Sequence, residues 1–426
     1  MSKKSVRWIL GSVALVGVLG QNLLADGFRN PPPGAVGLGR AGVIAAQVDD
    51  ASAIFYNPAN LIDLNSPEFE LAASLSKSKT EYSRPGYSAS TDNSWGVLPN
   101  VFFAYPLSDV VLNSKPVVLG LGLTTPFGQS SEWDKDSFLK YTSPYWAQMQ
   151  LLNINPSAAI ELAPGLSLGV GVDIYLSSLK FKQSFPWSQV LHAQAPDGNA
   201  VFSGDGAGLG GNAGLTWAIT DKQRLAFTYR SQVTVDYSGD FTVDNMPPLP
   251  PVPPFNALSP GSDFDSSLRF PDMFSVGYGI EIAPGLKLES DVEYLRWSLN
   301  ERQPIAIGNN APLMNGATEI VNDWKDTWTA GVSAEWRVDK IWTVRAGYLY
   351  LPSPITDQTL LPVLADTDTQ VLALGLGWRK GGHAVDVAYA FNCYQDRNVT
   401  DNHNPAVNGD YENSSQLVSL DYIYTF

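Results

Sequence analysis

The 426-residue chain has one cysteine, Cys393, so no internal disulfide can staple it. It has three histidines, His192, His383 and His403, and no H-E-x-x-H motif, which leaves little from which to build a metal-dependent hydrolase. Basic residues are few: 27 Lys and Arg stand against 42 Asp and Glu, giving a formal net charge of −15. That balance, without clustered Lys or Arg, excludes a nucleic-acid partner. Beyond the first 25 residues no run of 18 or more apolar residues occurs, so no transmembrane helix is expected in the mature chain. Nothing in the composition asks for a cofactor.

What is present starts with a leader. Lys3, Lys4 and Arg7 precede an apolar run from Trp8 to Gly20, and "NLLA" ends at Ala25. This is the layout of a secretory signal peptide, and the run is too short to span a bilayer as a helix. Cleavage after Ala25 removes three basic residues and no acidic one, taking the formal net charge from −15 to −18. Expected domains are therefore a signal peptide at 1–25, an irregular segment at 26–66 and a β-domain at 67–426.

From about residue 67 onward, apolar and polar residues alternate with period two, the mark of strands with one greasy and one polar face. Leu286, Leu288, Val292 and Tyr294 oppose Lys287, Glu289, Asp291 and Glu293; Val385, Val387, Tyr389 and Phe391 oppose Asp386 and Asn392. Leu225, Phe227, Tyr229, Val233, Val235 and Tyr237 are read as one continuous face. About 14 such segments are expected, near 67–79, 95–106, 116–127, 145–162, 166–181, 207–219, 224–243, 268–282, 286–299, 324–337, 341–351, 369–380, 384–395 and 414–426. Their connections alternate between tight turns, such as "APG" at Ala163–Gly165, and long loops, such as 128–144 and 182–206. An even strand count with short turns at one end and long loops at the other describes a transmembrane antiparallel β-barrel. A soluble sandwich gives no reason for the alternation, and in lipid a sheet must close on itself. Trp324, Trp328, Trp336 and Trp342 fall near expected strand ends, as membrane–water boundaries favour. The last strand, "VSLDYIYTF", puts Val418, Leu420, Tyr422, Tyr424 and Phe426 on one face, toward lipid; a terminal aromatic strand of this kind looks like the signal read by the barrel assembly machinery.

Residues 26–66 lack barrel-type alternation and are rich in Gly, Ala and Pro, which suits a plug in the lumen. Gly37-Leu-Gly39-Arg-Ala-Gly42 fits G-x-G-x-x-G, but "NPPPG" precedes it and no βαβ unit surrounds it, so it is not a dinucleotide site.

"GLGRAG", "DDAS" and Asn57-Pro58-Ala59, just after a signal peptide, together with "GLGLTTPFG", "NINPSAAIEL", "TYRSQV" and "PSPITDQTLLPVLADTD", resemble the FadL/TodX family of outer-membrane transporters for hydrophobic compounds. The resemblance implies a 14-stranded barrel closed by an N-terminal hatch, and uptake of long-chain fatty acids or aromatic hydrocarbons. It further implies a movable phenylalanine at Phe28, a hatch motif at Asn57, Pro58 and Ala59, and lateral release at a kinked third strand, matched here by Pro126, Phe127 and Gly128. An apolar molecule gains free energy from a pocket, at about 25 cal/mol per Å² buried, and none from a water-filled pore. Capture residues are expected in the outer loops: Trp133, Phe138, Leu139, Tyr141, Tyr145 and Trp146, then Phe185, Pro186, Trp187, Val190 and Leu191. The same residues could instead pack on one another and cap the barrel. A carboxylate head would need a cation, with Lys182, Arg230 and Lys325 as candidates and Asp173, Asp236 and Glu335 as their lumen partners. Without such a contact a neutral hydrocarbon becomes the better cargo. "ADTDT" at Ala365–Thr369 could take a divalent cation at a loop. Expected partners are thus a hydrophobic small molecule, outer-membrane lipids and the assembly machinery, with the chain acting as a monomer. The alternative is a general porin or an adhesive barrel.

Overall fold

The structure, a computed structural model, describes residues 26–92, 95–113, 115–251, 253–314 and 318–426. The expected signal peptide lies outside the described residues. Fourteen strands run in order around the wall: β1 (Glu68–Arg84), β2 (Trp95–Leu112), β3 in two pieces (Lys115–Thr124 and Gly128–Glu132), β4 (Trp146–Ala163), β5 (Leu166–Phe185), β6 (Gly198–Thr220), β7 in two pieces (Gln223–Arg230 and Val233–Val243), β8 in two pieces (Gly261–Phe270 and Met273–Ala283), β9 (Leu286–Leu295), β10 (Thr327–Arg337), β11 (Trp342–Leu351), β12 (Thr369–Lys380), β13 (His383–Tyr394) and β14 (Gly409–Thr425). Each pairs antiparallel with the next, and β14 closes on β1 from Glu68 opposite Thr425 to Ser83 opposite Asp410. Closure leaves no free sheet edge apart from an interruption between β2 and β3, as an apolar surround demands. No helix among the described residues is long and apolar enough to cross a membrane.

The period-two reading fixes the wall. Leu288, Val292, Val387, Tyr389, Leu420 and Tyr422 are exposed to the surround, while Glu289, Asp291, Asp386 and Asp421 are buried inside. Ile423, which interrupts the polar face of the last strand, turns inward into the cluster that holds Ile62 and Leu64. Trp328 and Trp336 face outward at 63% and 50% exposure. Two expectations fail. Trp324 precedes β10 and is buried rather than placed at the lipid boundary. The face read through 225–237 is not continuous: Phe227 and Tyr229 are exposed, but Val233, Val235 and Tyr237 are buried. Ser231 and Gln232 leave the strand there and invert the alternation, and β8 breaks beside them at Pro271 and Asp272. Asp236 consequently points outward and pairs with no lumen cation.

Residues 26–66 contribute no barrel strand, and of them only Asn65 is exposed. Three consecutive prolines, Pro31–Pro33, and small residues keep them out of the sheet. Two single-turn helices (Ala35–Gly39 and Ala53–Tyr56) and a 3₁₀ turn (Pro58–Asp63) leave many backbone N–H groups without partners of their own. Wall carboxylates supply them. Asp421 accepts from Ala35 and Val36, Asp291 from Ala45, Glu289 from Ala46 and Glu68 from Ala51. The acidic inner face therefore serves as the hydrogen-bond complement of the segment it encloses.

Candidate functional site

The third strand is interrupted where the sequence places proline. Below the break, β3 pairs with β2 from Val101 opposite Leu123 downward. Above it, Gly128–Glu132 pairs with β4 alone, and Trp95–Asn100 of β2 pairs with β1 alone. A slot is left in the wall between these stretches. Its top is bridged by Asp92 N–H to the Glu132 carbonyl (2.9 Å), and its foot by Thr125 N–H to Asn100 Oδ1 (3.2 Å). Proline has no amide hydrogen for the ladder, which is why pairing fails here.

The N-terminal segment fills that break from inside. Asn30 donates its backbone N–H to the Pro126 carbonyl (2.9 Å) and its side-chain amide to the Thr125 carbonyl (2.8 Å). Gly128 N–H donates to the Phe28 carbonyl (2.9 Å), and Arg29 sits opposite Phe127 as an antiparallel bridge. The Phe28 ring packs on Trp324 (4.8 Å between ring centres) and Trp297 (6.3 Å). Phe127 is buried against Phe270, at 4.8 Å.

Charge pins the tip. Arg29 bridges Asp26 (3.2 Å) and Glu293 (2.5 Å), and Trp297 Nε1 donates to Asp26 (2.9 Å). Gly27 N–H donates to Asp366 of the 352–368 loop (3.0 Å), as does the Ser353 hydroxyl. Burial pushes the Asp366 carboxyl up to about 7 and raises Asp26 as well. Sequence reasoning missed Arg29, Trp297 and Glu293, whose separation along the chain gives no local signal.

Two cavities lie on either side of Phe28. The one beneath the outer loops, about 40 Å³, is lined by Phe28, Met149, Leu179, Leu268, Trp324 and Leu361–Leu364 residues such as Val363. The lumen cavity, about 150 Å³, is lined by Pro31, Tyr56, Pro126, Phe127 and the ion-paired Arg29 and Arg230.

The expected capture residues divide into two groups, and none of them lines the upper pocket. Trp133 is buried, donates from Nε1 to the Pro362 carbonyl (3.0 Å) and packs on Phe138, which stacks on Tyr82 at 3.8 Å. Tyr141 donates to Asp197 (2.5 Å). Trp133, Phe138 and Leu139 share one apolar cluster with the pocket residues Met149 and Leu179. Phe185, Trp187 and Leu191 join Phe241, Phe264 and Ile307 in a separate apolar cluster of the outer loops. The cation candidates also separate. Lys182 lies over the Trp146 ring (4.4 Å), and Lys325 is exposed. Arg230 is buried, bonded to Asp173 and to the Phe55 carbonyl (3.1 Å). Glu335 pairs with Arg345 (2.8 Å).

Asn57 is fully buried; its amide donates to the Ala45 carbonyl and Thr216 Oγ1, both at 2.8 Å, and its oxygen accepts from Ala59 N–H. The Asn57–Ala59 turn touches bare wall. A Cβ at Gly169 would lie 2.2 Å from the Pro58 carbonyl carbon, and one at Gly214 2.0 Å from Asn57 Oδ1, so only glycine admits the turn at either place. In "ADTDT", Asp366 turns to Gly27 and Asp368 to Tyr350 (2.8 Å), and no group of three or more metal-ligating side chains exists among the described residues. The pentapeptide Gly165–Gly169 fits the hydrolase pattern G-x-S-x-G, but it runs from a hairpin turn into β5 with no helix after it, and Ser167 is buried.

Comparison with known proteins agrees with this geometry. Residues 16–426 match the model of the outer membrane protein transport protein family (OMPP1/FadL/TodX). The chain is 26% identical to the long-chain fatty acid transport protein of Salmonella typhi, over 92% of this chain and 93% of that one. It is 24% identical to outer membrane protein P1 of Haemophilus influenzae, over 91% and 90%. Among solved structures, a Pseudomonas aeruginosa FadL homologue superposes with a TM-score of 0.80 at 21% identity, covering 94% of this chain and all of that one. The Pseudomonas putida toluene transporter TodX gives 0.73 at 18% identity, with coverage of 94% and 100%. The chain belongs to the outer membrane protein transport protein family (OMPP1/FadL/TodX).

Proposed function

We propose that this outer-membrane barrel takes up small hydrophobic molecules by capture at the outer loops, binding beneath them, passage past Phe28 and sideways release through the slot in β3. The carrying observation is that one short stretch, Phe28–Asn30, both separates the two cavities and supplies the hydrogen bonds that β3 lacks. Withdrawing that stretch joins the cavities and frees the slot in a single movement. Relatives named as a long-chain fatty acid transport protein and a toluene transporter support the class of cargo. The outward face is covered by outer-membrane lipid, the assembly machinery reads the strand ending at Phe426, and one chain, whose barrel closes on itself, suffices for transport.

A disulfide lock tests the movement. In a Cys393→Ser background, Arg29→Cys with Phe127→Cys places two thiols at the antiparallel bridge. Oxidation is expected to abolish uptake of a labelled hydrocarbon into cells and reduction to restore it. Uptake that continues in the oxidised protein would refute passage by this route.

A further inference from the structure

The upper pocket has an unusual lining for a fatty-acid site. Among its residues no Lys, Arg, His, Asp or Glu occurs. Its polar members are amides and one hydroxyl, and most already face the protein. Gln129 donates to the Val363 carbonyl, Gln303 to Ser266 Oγ (3.0 Å), Asn322 to Asn300 Oδ1 (3.2 Å) and Thr359 to the Asn322 carbonyl.

Arg397, which borders the pocket, is fully engaged. Arg397 donates to Asp357 (2.8 Å), to the Ile355 carbonyl (2.8 Å) and to the Asp366 carbonyl (2.5 Å). Below Phe28, the lumen cavity presents Arg29 and Arg230 with Asp26, Asp291 and Glu293. Both arginines are held by carboxylates, Arg29 by Asp26 and Glu293, Arg230 by Asp173. A passing anion therefore finds no cation along this lining without a carboxylate already on it. Burying an ionised carboxylate without a partner is costly, whereas a neutral molecule of the same skeleton keeps its full gain from apolar burial.

We infer that the route filters its cargo by charge, accepting uncharged hydrophobic molecules and rejecting the ionised carboxylate of a fatty acid. This rests on the transport reading above and narrows it. The lumen cavity, at about 150 Å³, has the size of an engineered apolar cavity that holds benzene, which suits a compact neutral hydrocarbon. A carboxylic acid passes only in its protonated form. The filter is the absence of a basic side chain among the described residues that line the pocket; Gln303 and Gln148 are lining positions where one can be introduced.

Matched pairs test it on the full-length protein in detergent, with fluorescence of the tryptophans beside Phe28 as readout. Toluene is compared with benzoate, and decanol with decanoate. At about pH 8 the neutral member of each pair is expected to bind at least about tenfold more tightly, a difference of about 1.4 kcal/mol. Lowering the pH below the acid's own pKa, near that of a free carboxyl at about 4 to 5, should bring decanoate toward decanol. Gln303→Arg, or Gln148→Lys should the first variant fail to fold, is expected to raise decanoate affinity at about pH 8 relative to that for decanol in the same variant. Decanoate binding as tightly as decanol at that pH in the unaltered protein would overturn the charge filter and leave the transport reading standing. Binding of neither member, with no hydrocarbon uptake by cells, would sink the transport reading and the filter together.

Discussion

The cavities above and below Phe28 belong to the same barrel and are opposites chemically. The upper one is lined by apolar side chains of the outer loops and the wall, Leu361 and Met149 among them, and no ionisable group occurs among the described residues that line it. The lower one lies between the inner wall and the N-terminal segment, where Arg29, Arg230, Asp291 and Glu293 converge. The difference follows from what each has to satisfy. The upper pocket is walled mainly by apolar side chains, whose contacts with one another need no hydrogen bonds. The lower space borders a segment whose short helical turns expose amide hydrogens, and wall carboxylates answer them. Polarity in the lumen is thus a requirement of the plug rather than of the cargo.

The largest test of that contrast is at a buried ion pair. Asp173→Ala strands the Arg230 guanidinium and removes the acceptor of Asn153 and Asn212. We expect a loss of about 3–5 kcal/mol in denaturant unfolding from detergent, because one charge is left buried alone. A paired Asp173→Leu and Arg230→Met change should recover most of it, and failure to do so would mean the lower cavity needs the charges themselves. Phe28→Ala removes the partition. Loss of a half-buried ring should lower stability by about 1–3 kcal/mol and abolish the difference between the two compartments, seen as raised single-channel conductance and faster release of bound hydrocarbon. Gly214→Ala brings a methyl into Asn57 and should unseat the turn, at about 1–3 kcal/mol, with leakage of ions in planar bilayers. An unchanged conductance in that variant would show that the turn does not seal the lumen.

The smallest effect sharpens the boundary between the compartments. Asp366, which holds Gly27, has its carboxyl pushed up to about 7 by burial, against about 3.9 in the unfolded chain. The folded state therefore binds the proton more tightly. The fold is most stable in this respect at acid pH, loses that contribution as pH rises between about 4 and 7 and is flat above that. Denaturant unfolding from detergent should follow this course, and Asp366→Asn should remove it.

The barrel wall was legible because strand alternation is a local signal that repeats fourteen times, and Leu288 against Glu289 or Val387 against Asp386 needs no long-range information. The same signal misled where locality ended. Val233, Val235 and Tyr237 keep the parity of Phe227 and Tyr229 yet face inward, because a two-residue break re-aims the chain beyond the membrane. Trp324 is a boundary tryptophan by spacing but is drawn inside by Phe28. Pro126 announced the break in β3, since a missing amide hydrogen is written in the sequence. The closure of that break by Asn30 was not, because a contact across 96 positions leaves no periodic trace. Lys182 and Lys325 were plausible by charge alone, and only the fold sets them outside the cavities.

Pro31, Pro32 and Pro33 set the scale of any opening. The stretch from Ala35 to Ala51 is stitched to three strands of the wall by four carboxylates, and the Pro33 carbonyl is tied to the Tyr56 hydroxyl at 2.7 Å. Three successive residues with no amide hydrogen lie between that anchored body and the tip at Asp26–Asn30. The tip can swing like a latch tongue on a stiff pivot while the cork stays in the bottle. In the proposed route, such a gate would pass one greasy molecule at a time without offering a continuous column of water to ions.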